Sequence, residues 1–105
     1  IPKNKFGQEK ISYISKKDSI WNINYVDLSN YKTKTIKTTL NNNEDICWFK
    51  DGSILTSHKN NLYIFNSEFS NDWTLLCSLE EYGITNISRI AINPDNDKLA
   101  LVNSK

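Results

Sequence analysis

Asp45-Ile46-Cys47-Trp48-Phe49-Lys50-Asp51-Gly52-Ser53-Ile54-Leu55-Thr56-Ser57-His58-Lys59-Asn60-Asn61-Leu62-Tyr63-Ile64-Phe65-Asn66 is the stretch from which the rest of the chain is read. Short apolar runs are separated by two clusters of turn residues, at Lys50–Ser53 and at His58–Asn61. An Asp-Gly pair between apolar runs is a strong hairpin signal, because Gly takes the positive φ that tight turns require. Three short strands are expected, near 45–49, 53–58 and 61–66. The phrase returns as Arg89-Ile90-Ala91-Ile92-Asn93-Pro94-Asp95-Asn96-Asp97-Lys98-Leu99-Ala100-Leu101-Val102, and Asp51 and Asp95 stand 44 residues apart. That spacing falls within the roughly 40–45 residues of a unit built from four short strands. It speaks to architecture, not to activity.

Working outward, the chain reads as further strands. Lys10–Ser15 alternates Ile11 and Tyr13 against Ser12 and Ile14. Ile20–Leu28 alternates Trp21, Ile23 and Tyr25 against Asn22, Asn24 and Val26, the period-2 mark of a half-buried strand. Lys32–Leu40 is Thr-rich, Trp73–Leu79 is apolar, and Asn86–Asn93 and Lys98–Val102 complete about nine strands with no helical pattern. Ile11, Ile54 and Leu99 begin equivalent strands, 43 and 45 residues apart. The grouping is strands two to four of one unit (residues 8–40), a complete four-stranded unit (44–79), and strands one and two of a third (86–103). Regular short strands with such a repeat point to an all-β chain of antiparallel β-propeller blades, one complete and two partial, forming a single region over residues 1–105.

Composition limits the function classes. The 105 residues carry a net charge of +1, with lysines dispersed rather than gathered into the basic patch expected of a nucleic-acid binder. The densest cluster, Lys32, Lys34 and Lys37 among threonines, is read as a solvated edge strand whose charges discourage aggregation. With 3 Gly and 2 Pro, the turns must rely on Asn, Asp and Ser. No apolar run approaches the ~20 residues of a membrane-spanning helix. No secretory leader is recognisable. The chain opens Ile1-Pro2-Lys3 without Met and is read as a piece of a longer protein.

The residues able to carry chemistry are few. His58 is the sole histidine, in a turn, and no Gly-x-Ser-x-Gly elbow accompanies it, so catalysis is not expected. Cys47 and Cys77 fall on the innermost and outermost strands of one unit, about 14 Å apart at ~4.8 Å per strand, beyond disulfide reach. Two buried free thiols are expected, and their spacing does not suit zinc. Asp45, Asp51, Asp95 and Asp97 are read as turn formers, not calcium ligands. Asn86-Ile87-Ser88 is a formal glycosylation triplet at a strand start. Trp21, Trp48 and Trp73 are expected to pack between neighbouring units. Tyr82 lies instead in the connection from an outer strand to the next inner strand. Such connections share a rim with the turns between second and third strands, which makes Tyr82, Glu44, Lys17, Asp18, His58 and Lys59 the candidate contact surface.

Trp48-Phe49-Lys50-Asp51-Gly52-Ser53-Ile54-Leu55 and Ile90–Ala100 resemble the hairpin of TolB-type, WD-like propeller repeats. In that family an apolar strand runs into Ser-Pro-Asp-Gly and then a Lys/Arg-Leu-Ala strand. Here Lys50 replaces the Pro of the first copy, and Asn96 the Gly of the second. The resemblance implies a non-catalytic protein-interaction scaffold without cofactor or metal, in a periplasmic or exported setting. It is also compatible with the propeller part of a prolyl-oligopeptidase-like hydrolase whose catalytic domain lies elsewhere, or with a short protein that closes its blades by self-association. A protein partner or a second copy is therefore expected, with no nucleic acid and no membrane span.

Overall fold

A computed structural model describes residues 10–104, in which nine strands form three antiparallel sheets that follow one another along the chain. Sheet 1 is β1 (Lys10–Lys17), β2 (Ile20–Asp27) and β3 (Thr33–Thr38), in that order. Sheet 2 is β4 (Cys47–Trp48), β5 (Ile54–His58), β6 (Asn61–Phe65) and β7 (Thr74–Ser78). Sheet 3 is the β8 (Ile87–Ile92) and β9 (Leu99–Asn103) hairpin. The described residues contain no α-helix, and no helix long and apolar enough to cross a membrane. The expected all-β, antiparallel class is thus observed. The polar, turn-like stretch Ile1–Gly7 and the start of the first unit at residues 8 and 9 lie outside the described residues.

The middle sheet is covered on both faces because β5 is apolar on both. Ile54 pairs with Phe65 on the side of sheet 1 and, with Ile23, forms a buried cluster joined by Ile14, Ile36, Ile46, Trp48 and Trp73. Leu55 turns the other way and, with Cys47, Leu62, Ile87 and Ile90, forms a second cluster bordered by Phe49, Leu79, Ile84, Leu99 and Leu101. Period 2 along one strand thus builds two separate cores. Polar links bind the layers at their margins. The Trp48 indole N–H donates to Ser12 Oγ at 3.1 Å, and that of Trp73 to the Thr38 carbonyl at 3.0 Å. Lys37 on edge strand β3 donates to the Asn71 carbonyl at 3.0 Å, pairs with Asp72 at 3.1 Å and lies over the Phe65 ring.

The turns follow their residue chemistry. Asp18 and Ser19 both adopt positive φ, the pattern of a two-residue type I′ hairpin. Gly52 (φ 89) and Asn96 (φ 59) occupy equivalent points of the repeated turn, so Asn96 performs the backbone task of the missing glycine. The two turns also touch, with Lys50 N–H donating to Asn96 Oδ1 at 2.6 Å. Three expectations are corrected. Strand β3 ends at Thr38, and Leu40 belongs to a 3-10 turn, Leu40–Asn42, in which Asn41 and Asn42 take positive φ. Trp73 precedes β7 and is held by its indole bond, not by the ladder. Cys77 is exposed, because no sheet of the described residues lies over β7, whereas Cys47 is buried; both are free thiols.

Candidate functional site

The six residues read from the sequence as a contact surface lie at strand ends, turns and connections that are linked by backbone and side-chain hydrogen bonds. Thr39 N–H donates to the Trp21 carbonyl at 2.9 Å, which sets the Leu40–Asn42 turn beside the β1–β2 hairpin carrying Lys17 and Asp18. Asn43 then bridges: its Nδ2 donates to the Ser57 carbonyl at 2.7 Å, while its Oδ1 accepts from Asp45 N–H at 2.9 Å. Lys59 and Asn60 form the β5–β6 turn. The Lys59 carbonyl accepts from Ile87 N–H at 2.7 Å, and the Asn60 carbonyl from Leu79 N–H at 2.8 Å. Those two bonds clamp the ends of the segment that carries the 3-10 turn Glu80–Tyr82.

Exposure separates the six. Tyr82 is 75% exposed. Lys17, Asp18, Glu44 and Lys59 are exposed, and His58 is half-buried at the end of β5. The rim also holds residues that the sequence reading passed over. Ile20 is 51% exposed at the base of the first hairpin, and Lys16 sits 5.4 Å over the Trp21 ring. Glu80 and Glu81 are exposed beside Tyr82. Lysines therefore gather at the first hairpin and carboxylates at the last connection. The signal for Ile20 was present in the alternation: it falls on the polar register of β2 and has no reason to be buried there.

Among the described residues no group of three or more His, Cys, Asp or Glu is placed to hold a metal ion. Asp51 closes its own turn by accepting from Ser53 N–H at 2.8 Å, and Asp97 hydrogen-bonds Asn93 within its loop. Asp45 departs from the turn-forming reading. Its Oδ2 accepts from Ile90 N–H at 2.6 Å, a charge-assisted bond from one sheet to the next. Cys47 lies in the core beside it. Burial raises the thiol's pKa above its usual 9.0, the Asp45 carboxylate raises it further, and a hydrogen bond with the Ile92 backbone opposes them in part. Such a thiol is protonated and unreactive at neutral pH. Asn86 is exposed in the irregular segment before β8, its N–H bonded to Asn103 Oδ1 at 3.0 Å. No family model, curated protein or solved structure matches this chain.

Proposed function

We propose that the three sheets are consecutive blades of a TolB-like β-propeller, one whole and two partial, and that the segment is a non-catalytic scaffold binding a protein through the rim of Lys17, Asp18, Glu44, His58, Lys59 and Tyr82. The observation that carries this reading is the repeated handover between sheets. The outer strand of sheet 1 passes to the first strand of sheet 2 through the 3-10 turn Leu40–Asn42. The outer strand of sheet 2 passes to the first strand of sheet 3 through the 3-10 turn Glu80–Tyr82, 40 residues on. Handover from an outer to an inner strand is what a radial array of four-stranded units requires. The two-faced packing of sheet 2 adds support, since each inner blade of such an array has neighbours on both sides. An exposed tyrosine beside the carboxylates of Glu80 and Glu81 suits a protein partner better than a nucleic acid.

The test is retention of a cross-linked partner from native cell extract by the immobilised full chain. Tyr82→Ala and Lys59→Glu are each expected to lower retention about tenfold, the size of a single hot-spot residue, with an unchanged melting temperature. Tyr31→Ala and Phe69→Ala, in the β2–β3 and β6–β7 loops, are expected to leave it unchanged. Equal retention by all four variants would remove the rim from consideration.

A further inference from the structure

We propose that residues 66–73, the connection from β6 to β7, form a strap that opens and closes on the outer edge of sheet 1, with Lys37 as the catch that holds it shut. The closed state is built from contacts that converge on the C-terminal end of β3. Lys37 Nζ donates to the Asn71 carbonyl at 3.0 Å and pairs with Asp72 Oδ1 at 3.1 Å. The same ammonium lies 5.6 Å from the centroid of the Phe65 ring. One residue on, the Thr38 carbonyl accepts from the Trp73 indole N–H at 3.0 Å, and the Trp73 ring stands 5.8 Å from that of Phe65. Phe65 is 5% exposed within the cluster shared by sheets 1 and 2, and Trp73 and Lys37 both lie against its ring.

The strap holds its own shape. Asn66 Oδ1 accepts from Glu68 N–H at 3.0 Å, and the Asn66 carbonyl from Phe69 N–H at 3.0 Å and Ser70 N–H at 3.1 Å. Ser70 Oγ accepts from Asp72 N–H at 3.2 Å, and Asp72 Oδ1 from Trp73 N–H at 2.8 Å. These bonds all lie within residues 66–73 and are kept when the segment lifts as a body. Ser67, Glu68, Phe69, Asn71 and Asp72 are exposed, which leaves Trp73 as the apolar anchor. A segment with so few buried apolar contacts sits at the low end of local stability. The equivalent connection of sheet 1 opens in the same way, with Ser29 N–H on Asp27 Oδ1 at 2.9 Å and Tyr31 N–H on the Asp27 carbonyl at 2.7 Å. It then reaches its next strand through residues 28–32, whereas residues 67–73 follow Asn66. The longer connection is the one whose Asn71 and Asp72 meet Lys37.

Charge sets the balance between the two states. The Asp72 side chain is 80% exposed, so its pair with Lys37 is weak by itself and is screened by salt. The carbonyl bond and the ring contact use the same cation, so screening or removing it weakens three contacts at once. The Trp73 N–H and then Lys37 hold the Asp72 carboxyl below its usual value, in keeping with a carboxylate engaged by both. The strap is at the opposite end of β6 from the Lys59–Asn60 turn, so its movement goes beyond the interaction-scaffold reading and stands or falls without it.

The test is indole proton exchange in the full chain, followed by NMR with the Trp73 signal assigned through Trp73→Phe. The Trp48 indole N–H, bonded to Ser12 Oγ at 3.1 Å across the same pair of sheets, is the internal control. Raising salt from about 10 mM to about 500 mM is expected to speed Trp73 exchange about fivefold relative to Trp48. Lys37→Met keeps an apolar stem without the cation, and is expected to speed Trp73 exchange about tenfold at low salt and to abolish the salt response. Lys37→Arg keeps both the slow exchange and the salt response. Asp72→Asn, at an exposed site that does not threaten folding, reproduces part of the acceleration with an unchanged urea midpoint. Equal acceleration of Trp73 and Trp48 in Lys37→Met would overturn the proposal, because the two sheets would then be parting as a whole. So would a Trp73 indole rate indifferent to both salt and Lys37→Met.

Discussion

Asp45 ties two layers together through one atom. Its Oδ2 takes the Ile90 N–H from the neighbouring sheet, and its own carbonyl accepts from the Thr56 hydroxyl at 3.1 Å, so the residue joins β5 and β8 beside the buried Cys47. Removing the carboxylate strands a part-buried N–H. Asp45→Ala is therefore expected to cost about 2 kcal/mol in urea unfolding, with accelerated amide exchange at Ile90, whereas Asp45→Asn recovers much of it. An Asp45→Ala protein of wild-type stability would show that water satisfies that N–H. Cys47 makes a second, pH-dependent expectation. Its folded pKa is raised, chiefly by burial, so the folded state holds the thiol proton more tightly than the unfolded chain. The stability this contributes is complete below the unfolded value of 9.0 and is lost as pH rises through the folded one. Cys47→Ala should be less stable than wild type near neutrality by roughly 1–2 kcal/mol, and the gap should narrow in alkaline solution. A gap constant from about pH 7 to about pH 10.5 would refute the linkage.

At the level of elements, the β1–β2 hairpin stores strain that is testable without touching a core. Asp18 at φ 53 and Ser19 at φ 67 occupy a region costly for residues with a Cβ, though less so for Asp. The double change Asp18→Asn with Ser19→Gly supplies the preferred type I′ pair and is expected to add roughly 1 kcal/mol of stability by thermal unfolding. No gain would mean that the turn relaxes to another type in solution. These turns also show which parts of the fold were legible. Asp51-Gly52 marked its hairpin outright, and Asn96 was found because it stands where the repeat places Gly52. Strand alternation located β2 and β5–β6 to within a residue. It failed at Trp73 and Leu40, where an apolar residue sits just outside its strand and is held by an indole bond or a 3-10 turn that periodicity cannot register. It failed at Cys77 for a different reason: whether the outer face of an outer strand is covered depends on the next sheet, not on the strand's own pattern. The place of the proposed rim residues at turns and strand ends was legible, because turns between equivalent strands fall at one end by topology. The charge asymmetry of the rim was not, since the distance from Lys16 and Lys17 to Glu80 and Glu81 along the sequence hides their common edge.

For the molecule as a whole, adjacent residues of one strand serve different interfaces, and this makes the coupling between layers measurable. Ile54 and Leu55 are each 1% exposed, yet Ile54 packs only with the cluster shared by sheets 1 and 2, and Leu55 only with that shared by sheets 2 and 3. Truncating either to Ala should cost about 2–5 kcal/mol of the interface it serves. A two-stranded sheet such as β8–β9 is marginal alone, so it depends on the Leu55 side for its order. If the layers behave as units coupled to nearest neighbours, Leu55→Ala speeds amide exchange first in β8 and β9 and spares β1–β3. Ile54→Ala then does the reverse, and β5–β6 is the slowest to exchange in both. If the chain unfolds instead as one cooperative body, both variants lower protection in all three sheets by the same factor. Two cores meeting on opposite faces of β5, with few links around them, favour the first outcome. Outside β5, sheet 2 is tied to sheet 1 at Lys37–Asp72, Trp73–Thr38 and Trp48–Ser12. Sheet 3 is held to sheet 2 by Asp45, by the Lys50–Asn96 turn contact with the Lys50–Asp95 ion pair, and by the Ile87–Lys59 backbone bond, but as a two-stranded sheet it is the layer expected to loosen first.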